Sequence, residues 1–241
     1  MPFPTTRWTI LAEATLHGDA SGRTALENLC VQYQRPVEQF IASRGYGPSD
    51  RQDLVQEFFL NWLRVRAWKR ADRARGRFRN FMLGAVNHLL LHEEAKKTAQ
   101  KRGGGIAVAS LDDEAFTEEV PEPDAEAASA FDRDWAVALV TNVLKILRAE
   151  FEARQKGAEF SVLQSFLPGS STVLSLEEAA LRLDTNVNAF KASLHRLRER
   201  FRDLLRLEVA RTVSAPHEVD EELQYLRELL MKLPPDRIPS A

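Results

Sequence analysis

Apolar residues recur along this chain at steps of three and four, the period of a helix buried on one side. In residues 25–44, Leu26, Leu29, Cys30, Tyr33, Val37, Phe40 and Ile41 share a face. GYGPSD then reads as a turn, with Ser49 or Asp50 capping the next helix. That helix, over 51–65, turns Leu54, Val55, Phe58, Phe59, Trp62 and Leu63 inward. A third spans 80–100 and stops at the glycines after Lys101 and Arg102. A long helix over 131–154 carries Trp135, Leu139, Val143, Leu144, Ile146, Leu147 and Phe151 as its stripe. FSVLQSFLPG predicts a short helix closed by Pro168 and Gly169. Another short helix, 176–183, ends at the polar break Asp184-Thr185-Asn186, and a longer one begins near Val187. A last amphipathic helix over 219–233 places Leu223, Leu226, Leu229, Leu230 and Leu233 on a face that needs a cover, on this chain or on a partner. Alternating strand-type runs are scarce, so the expected fold is all-α.

Short helix, tight turn and long basic helix over 175–206 is the pattern of a helix-turn-helix. Asp and Asn tolerate the left-handed backbone of a sharp turn, and Thr185 or Asn186 can cap the second helix. Phe190, Leu194, Leu197, Phe201, Leu204 and Leu205 make its buried stripe. Asn188, Lys191, Ser193, His195, Arg196, Arg198, Arg200 and Arg202 are left outside, on a face suited to phosphates and base edges. The plainer alternative is a solvated helix face in which Glu199 and Asp203 pair with some of the arginines.

A net charge of −2 is unpromising for a partner of nucleic acid, but the charge is segregated. Residues 64–102 carry twelve basic and three acidic side chains, a net of +9, whereas residues 111–134 carry ten acids and one base, a net of −9. The basic block can hold phosphates, and the acidic block would repel them or cover the basic surface. Three glycines, two prolines and most of those acids lie in GGGIAVASLDDEAFTEEVPEPDAEAAS, which reads as a flexible linker. The expected organisation is therefore two helical domains: residues 1–102, an acidic linker at 103–128, residues 129–214, and a C-terminal amphipathic extension at 215–241.

Catalytic chemistry is not visible. GGG lacks the Lys-Ser/Thr context of a phosphate loop, and HLLLH at 88–92 lacks the glutamate of a zinc-protease motif. The five histidines have no partner cysteines, so the expectation is no enzyme activity, no metal and no cofactor. Cys30, in an apolar helical stretch, reads as a core residue, and a single cysteine excludes an internal disulfide. No apolar run approaches the roughly 18 residues of a membrane span, and MPFPTTRWTILAEA lacks a signal-peptide shape. A cytoplasmic protein is expected.

The strings themselves carry a resemblance. Asp53-Leu54-Val55-Gln56-Glu57-Phe58-Phe59 is similar to the D-L-x-Q-E-x-F signature of region 2.2 in the sigma-70 family of bacterial transcription initiation factors. Arg77-Phe78-Arg79-Asn80-Phe81-Met82, followed by Ala85-Val86-Asn87-His88-Leu89-Leu90, resembles the helix of regions 2.3–2.4. Leu194-His195-Arg196-Leu197-Arg198 resembles the end of the region 4.2 recognition helix. The order and the acidic linker match the small extracytoplasmic-function group, over roughly residues 25–102 and 130–208. Phe3-Pro4-Thr5-Thr6-Arg7-Trp8 and Gln100-Lys101-Arg102-Gly103-Gly104-Gly105 look like one subset of it. The chain departs from the group at Asp184, where the turn usually has glycine, in the helical stretch 135–166, and in the tail beyond Arg211.

The resemblance implies a role for each block. Asp53, Gln56, Glu57 and Asn61 would dock on core RNA polymerase, at the β′ clamp, with the β subunit as a further contact. Arg73, Arg75, Arg77, Phe78, Arg79, Asn87, His88, Lys96, Lys97, Lys101 and Arg102 would hold the −10 element of promoter DNA, with Trp68 or Phe78 as a platform for an unstacked base. Asn188, Lys191, Ser193, His195, Arg196, Arg198, Arg200 and Arg202 would read the −35 element. An anti-sigma factor, or the C-terminal helix acting within the chain, would regulate it. Two other readings stand beside this one: a helix-turn-helix regulator working without polymerase, and a sigma-like module that only binds protein.

Overall fold

The computed structural model describes residues 20–67, 78–101, 125–167, 174–213 and 215–234. Among these residues every regular element is a helix, as the three- and four-residue spacing predicts. The chain divides into two compact units, residues 1–135 with 211–216, and residues 136–210 with 217–241.

In the first unit, α1 (Ala20–Ser43) packs on α2 (Pro48–Arg64) and on α3 (Phe78–Lys101). Tyr33, Val37, Phe40 and Ile41 of α1, Leu54, Phe58 and Trp62 of α2, and Phe78, Met82 and Val86 of α3 are all buried. Phe78 lies edge-on to Tyr33 at 5.5 Å and to Trp62 at 6.5 Å between ring centroids. α2 is not capped by Ser49 or Asp50 as expected: its N-cap is Gly47, with no side-chain bond. Pro48 follows at the first helical positions, where its missing N–H costs nothing, and Asp50 sits in the first turn near the positive end of the helix dipole.

α4 (Ala125–Glu152) starts six residues before the expected 131. Its opening turns, through Trp135, belong to the first unit, although 129–135 were expected to open the second. Side-chain packing accounts for this. Phe131 is buried edge-on to Phe40 at 6.1 Å, Asp132 pairs with Arg79, and the Arg79 guanidinium lies 5.1 Å from the Trp135 ring. The rest of the expected linker, 103–124, lies outside the described residues.

The second unit takes the remainder of α4, then α5 (Gly157–Leu163), a single 3-10 turn at Gln164–Phe166, α6 (Leu176–Arg182), α7 (Val187–Ala210) and α8 (Glu218–Met231). Val143, Leu147, Phe160, Leu163, Ala179 and Phe190 are the most deeply buried members of its core, which continues down α7 through Leu194, Leu197, Phe201 and Leu204. α8 packs on α7; Val219, Leu226 and Leu229 are buried, while Leu223, Leu230 and Leu233 of its leucine face are half-buried. No described helix is long and apolar enough to cross a membrane.

Candidate nucleic-acid interface

Ser175 starts the two-helix motif. Its Oγ accepts from the Glu178 backbone N–H at 3.1 Å, and its own N–H donates to Glu178 Oε2 at 2.9 Å, forming a reciprocal capping box. The Ser175 backbone and hydroxyl together hold the Glu178 carboxyl below its ordinary value of 4.5. Buried Ala179 and Ala180 let α6 lie close to α7.

The break between the helices follows from backbone bonding. The Thr185 N–H donates to Ala180 O at 3.0 Å and the Asp184 N–H to Leu181 O at 3.1 Å, which together make a Schellman termination. The position between them must be left-handed, and Asp184 occupies it at φ +48. Of the two expected caps for α7, Asn186 is the one used: its Oδ1 accepts from the Ala189 N–H at 2.9 Å. Phe190, Leu194, Leu197, Phe201 and Leu204 are buried as expected, and Leu205 is half-buried.

Surface residues of α7 sort into two groups. Arg198 and Arg200 are tied to their own unit. Arg198 donates to Phe166 O at 2.9 Å, and Arg200 makes a two-bond pair with Glu150 at 3.1 and 2.5 Å. That pair lowers the Glu150 pKa and raises that of Arg200. Arg202 keeps its terminal nitrogens free of any described carboxylate, while its Nε donates to Arg198 O at 3.2 Å. Asn188, Lys191, His195 and Arg196 are exposed on the N-terminal half of α7, and Ser193 is half-buried with its Oγ accepting from Arg196 at 3.0 Å. His195 lies 3.4 Å from Glu199, an ion pair only when the imidazole is protonated. The exposed cluster of amide, ammonium, imidazole and guanidinium is the donor set that reads base edges and phosphates.

The candidates for single-strand contact are placed differently. Phe78 is wholly buried, and Arg79, only 3 % exposed, donates from Nε to Asp132 at 2.8 Å. Asn87 and His88 are buried, with the His88 ring centroid 4.7 Å from that of His92, the rings tilted by 41°. These four, expected on a DNA-facing surface, are interior: Phe78 packs on Tyr33 and Trp62, and Arg79 is held by Asp132 and Trp135 at the opening of α4. Lys96 and Lys97 are exposed, the first 3.3 Å from Glu93 and the second 4.6 Å from the Tyr46 ring centroid. Lys101 ends α3; Trp68, Arg73, Arg75, Arg77 and Arg102 lie outside the described residues.

No protein-family model, characterised protein or solved structure matches this chain. The residues of the site therefore carry the functional argument. On α2, Asp53 and Gln56 are exposed, while Glu57 and Asn61 are half-buried beside them. Gln56 and Glu57 lie three and four residues after Asp53, and Asn61 four after Glu57, so these side chains form a carboxylate-and-amide strip on one rigid helix. Two further features belong to the site. The capping box at Ser175 was legible as S-x-x-E. Arg227 of α8, which shares a trough with His195, Arg198 and Arg202, gave no local signal, since only tertiary packing brings these side chains together.

Proposed function

We propose that the chain is an initiation factor of the sigma-70 type, of the extracytoplasmic-function group, which binds core RNA polymerase and directs it to promoters. The observation that carries this reading is the α6–α7 pair. A Schellman turn at Asp184 and an Asn186 cap set off a helix whose N-terminal half presents Asn188, Lys191, His195 and Arg196 to solvent. In a helix-turn-helix that half meets base edges in the major groove. Arg198 and Arg200, bonded within the unit, then serve to fix the helix rather than to read sequence. The strip Asp53, Gln56, Glu57 and Asn61 is the polymerase-docking surface in this proposal, pairing with basic residues of a partner helix. Such a protein acts in the cytoplasm, where the DNA is.

A second reading has one observation in its favour. Burial of Phe78, Arg79, Asn87 and His88 withdraws base-reading groups from the −10 set, as suits a regulator that binds duplex without polymerase. Transcription in vitro with core polymerase and genomic promoter fragments separates the two. Initiation that depends on this chain, and that Glu57→Lys abolishes, supports the first. Tight, sequence-specific duplex binding with no dependence on core supports the second. Under either reading Lys191→Ala or Arg196→Ala alters sequence discrimination by about 1–3 kcal/mol where the contact is bidentate. A uniform loss across sequences restricts that residue to phosphate contact.

A further inference from the structure

α7 and α8 border an open trough of about 950 Å³ within the second unit, at the upper end of the size of small-molecule sites. Leu139 and Val140 of α4, Phe201 of α7, and Leu226 and Leu230 of α8 form an apolar floor. Among the described residues lining it there is no carboxylate, while His195, Arg198 and Arg202 line it from α7 and Arg227 from α8. Arg198 is committed to Phe166 O. Arg202 and Arg227 are exposed and pair with no carboxylate among the described residues.

One of these arginines comes from each helix bordering the trough. Arg206 bonds Asp220 at 2.6 Å, near the short connection between α7 and α8, which pack on each other. Arg202 lies four residues before Arg206, about one helical turn, and Arg227 seven after Asp220, about two turns, and both line the trough. Two guanidinium forks that line one trough can share one carboxylate by charge-assisted bonds. From Arg202 to His195 the lining runs for about 10 Å along α7, and Met231, an exposed and adaptable side chain, also lines the trough.

We infer that this trough binds an amphiphilic anion, a medium-length straight-chain carboxylate whose head group is held by Arg202 and Arg227 and whose tail lies on the leucine floor. The charge of the lining selects the sign: two guanidinium groups repel a cationic amphiphile, and a short acid leaves the floor wet. The inference stands apart from promoter reading, because binding is read without DNA or polymerase.

Calorimetric titration of the full chain with decanoate tests it. One saturable site is expected, with Leu139, Val140, Leu226 and Leu230 methyl resonances shifting as it fills. The double variant Arg202→Gln/Arg227→Gln, at two exposed positions that leave the core intact, weakens binding about tenfold. Decyltrimethylammonium and acetate show no saturable binding. Absence of a saturable decanoate site, equal binding of the cationic amphiphile, unchanged affinity in the double variant, or saturable binding only of an acidic amphipathic peptide would each overturn the assignment.

Discussion

Asp184 sits at φ +48, a conformation that a short polar side chain tolerates and a β-branched one does not. Asp184→Val is expected to destabilise the second unit by about 1–3 kcal/mol, whereas Asp184→Gly keeps the turn. Urea unfolding of both variants measures this, and equal stability of the two would contradict the strain argument. Cys30 is a second residue whose surroundings set its behaviour. Burial pushes its thiol up to about 11 from an ordinary 9.0, so little thiolate is present at mildly alkaline pH. Iodoacetamide should alkylate the folded protein slowly and the urea-unfolded protein much faster. At this scale the sequence was readable where one residue bonds to its near neighbours: the Asn186 cap and the polar turn needed only local chemistry. It misled where the partner is remote. Arg79, Asn87 and His88 belong to types that favour surfaces, yet Arg79 is held by Asp132, 53 residues away.

Between elements, the Glu150–Arg200 pair joins α4 to α7. Arg200 holds the Glu150 carboxyl below its ordinary value of 4.5. A depressed carboxylate contributes stability above its unfolded value and loses it as pH falls through the lower folded one. The melting temperature is therefore expected to fall as pH drops below about 4.5, and Glu150→Gln should flatten that part of the profile while lowering the neutral-pH value slightly. Thermal melts across the acid range check both. The pair is well exposed, so its contribution is about 1 kcal/mol or less. Between α3 and α4 the buried Arg79–Asp132 pair matters more. Arg79→Ala leaves Asp132, 14 % exposed, without this cation, and about 3–5 kcal/mol of destabilisation follows. A loss below 1 kcal/mol in denaturant unfolding would show that the pair is dispensable. Helix existence and faces were legible from periodicity. The start of α4 was not, because its first turns are acidic and small, AEAASA, and gain stability from Phe131 packing on Phe40.

For the whole molecule, net charge conceals a +9 block at 64–102 and a −9 block at 111–134. If the chain reads promoters, its affinity for DNA should fall steeply and log-linearly with salt, despite an overall charge of −2. Filter binding across a salt series measures the slope, and a flat response would remove the basic block from the interface. Folding has already spent part of that block, since Arg79 is interior. What remains exposed among the described residues of that block is Arg64, Arg66, Lys96 and Lys97.

By itself the sequence determined that the chain is helical, where each apolar stripe lies, and where the α6–α7 turn falls. These depend on neighbours within about two helical turns, and periodicity and capping record them directly. Tertiary structure decided which polar residues reach solvent, that the opening turns of α4 pack with the first unit, and that α8 shares the unit of α7. It also decided that Arg202 and Arg227 face one trough. Those outcomes depend on pairs of residues far apart in the chain, and a helical period repeats the same pattern whichever partner eventually covers it.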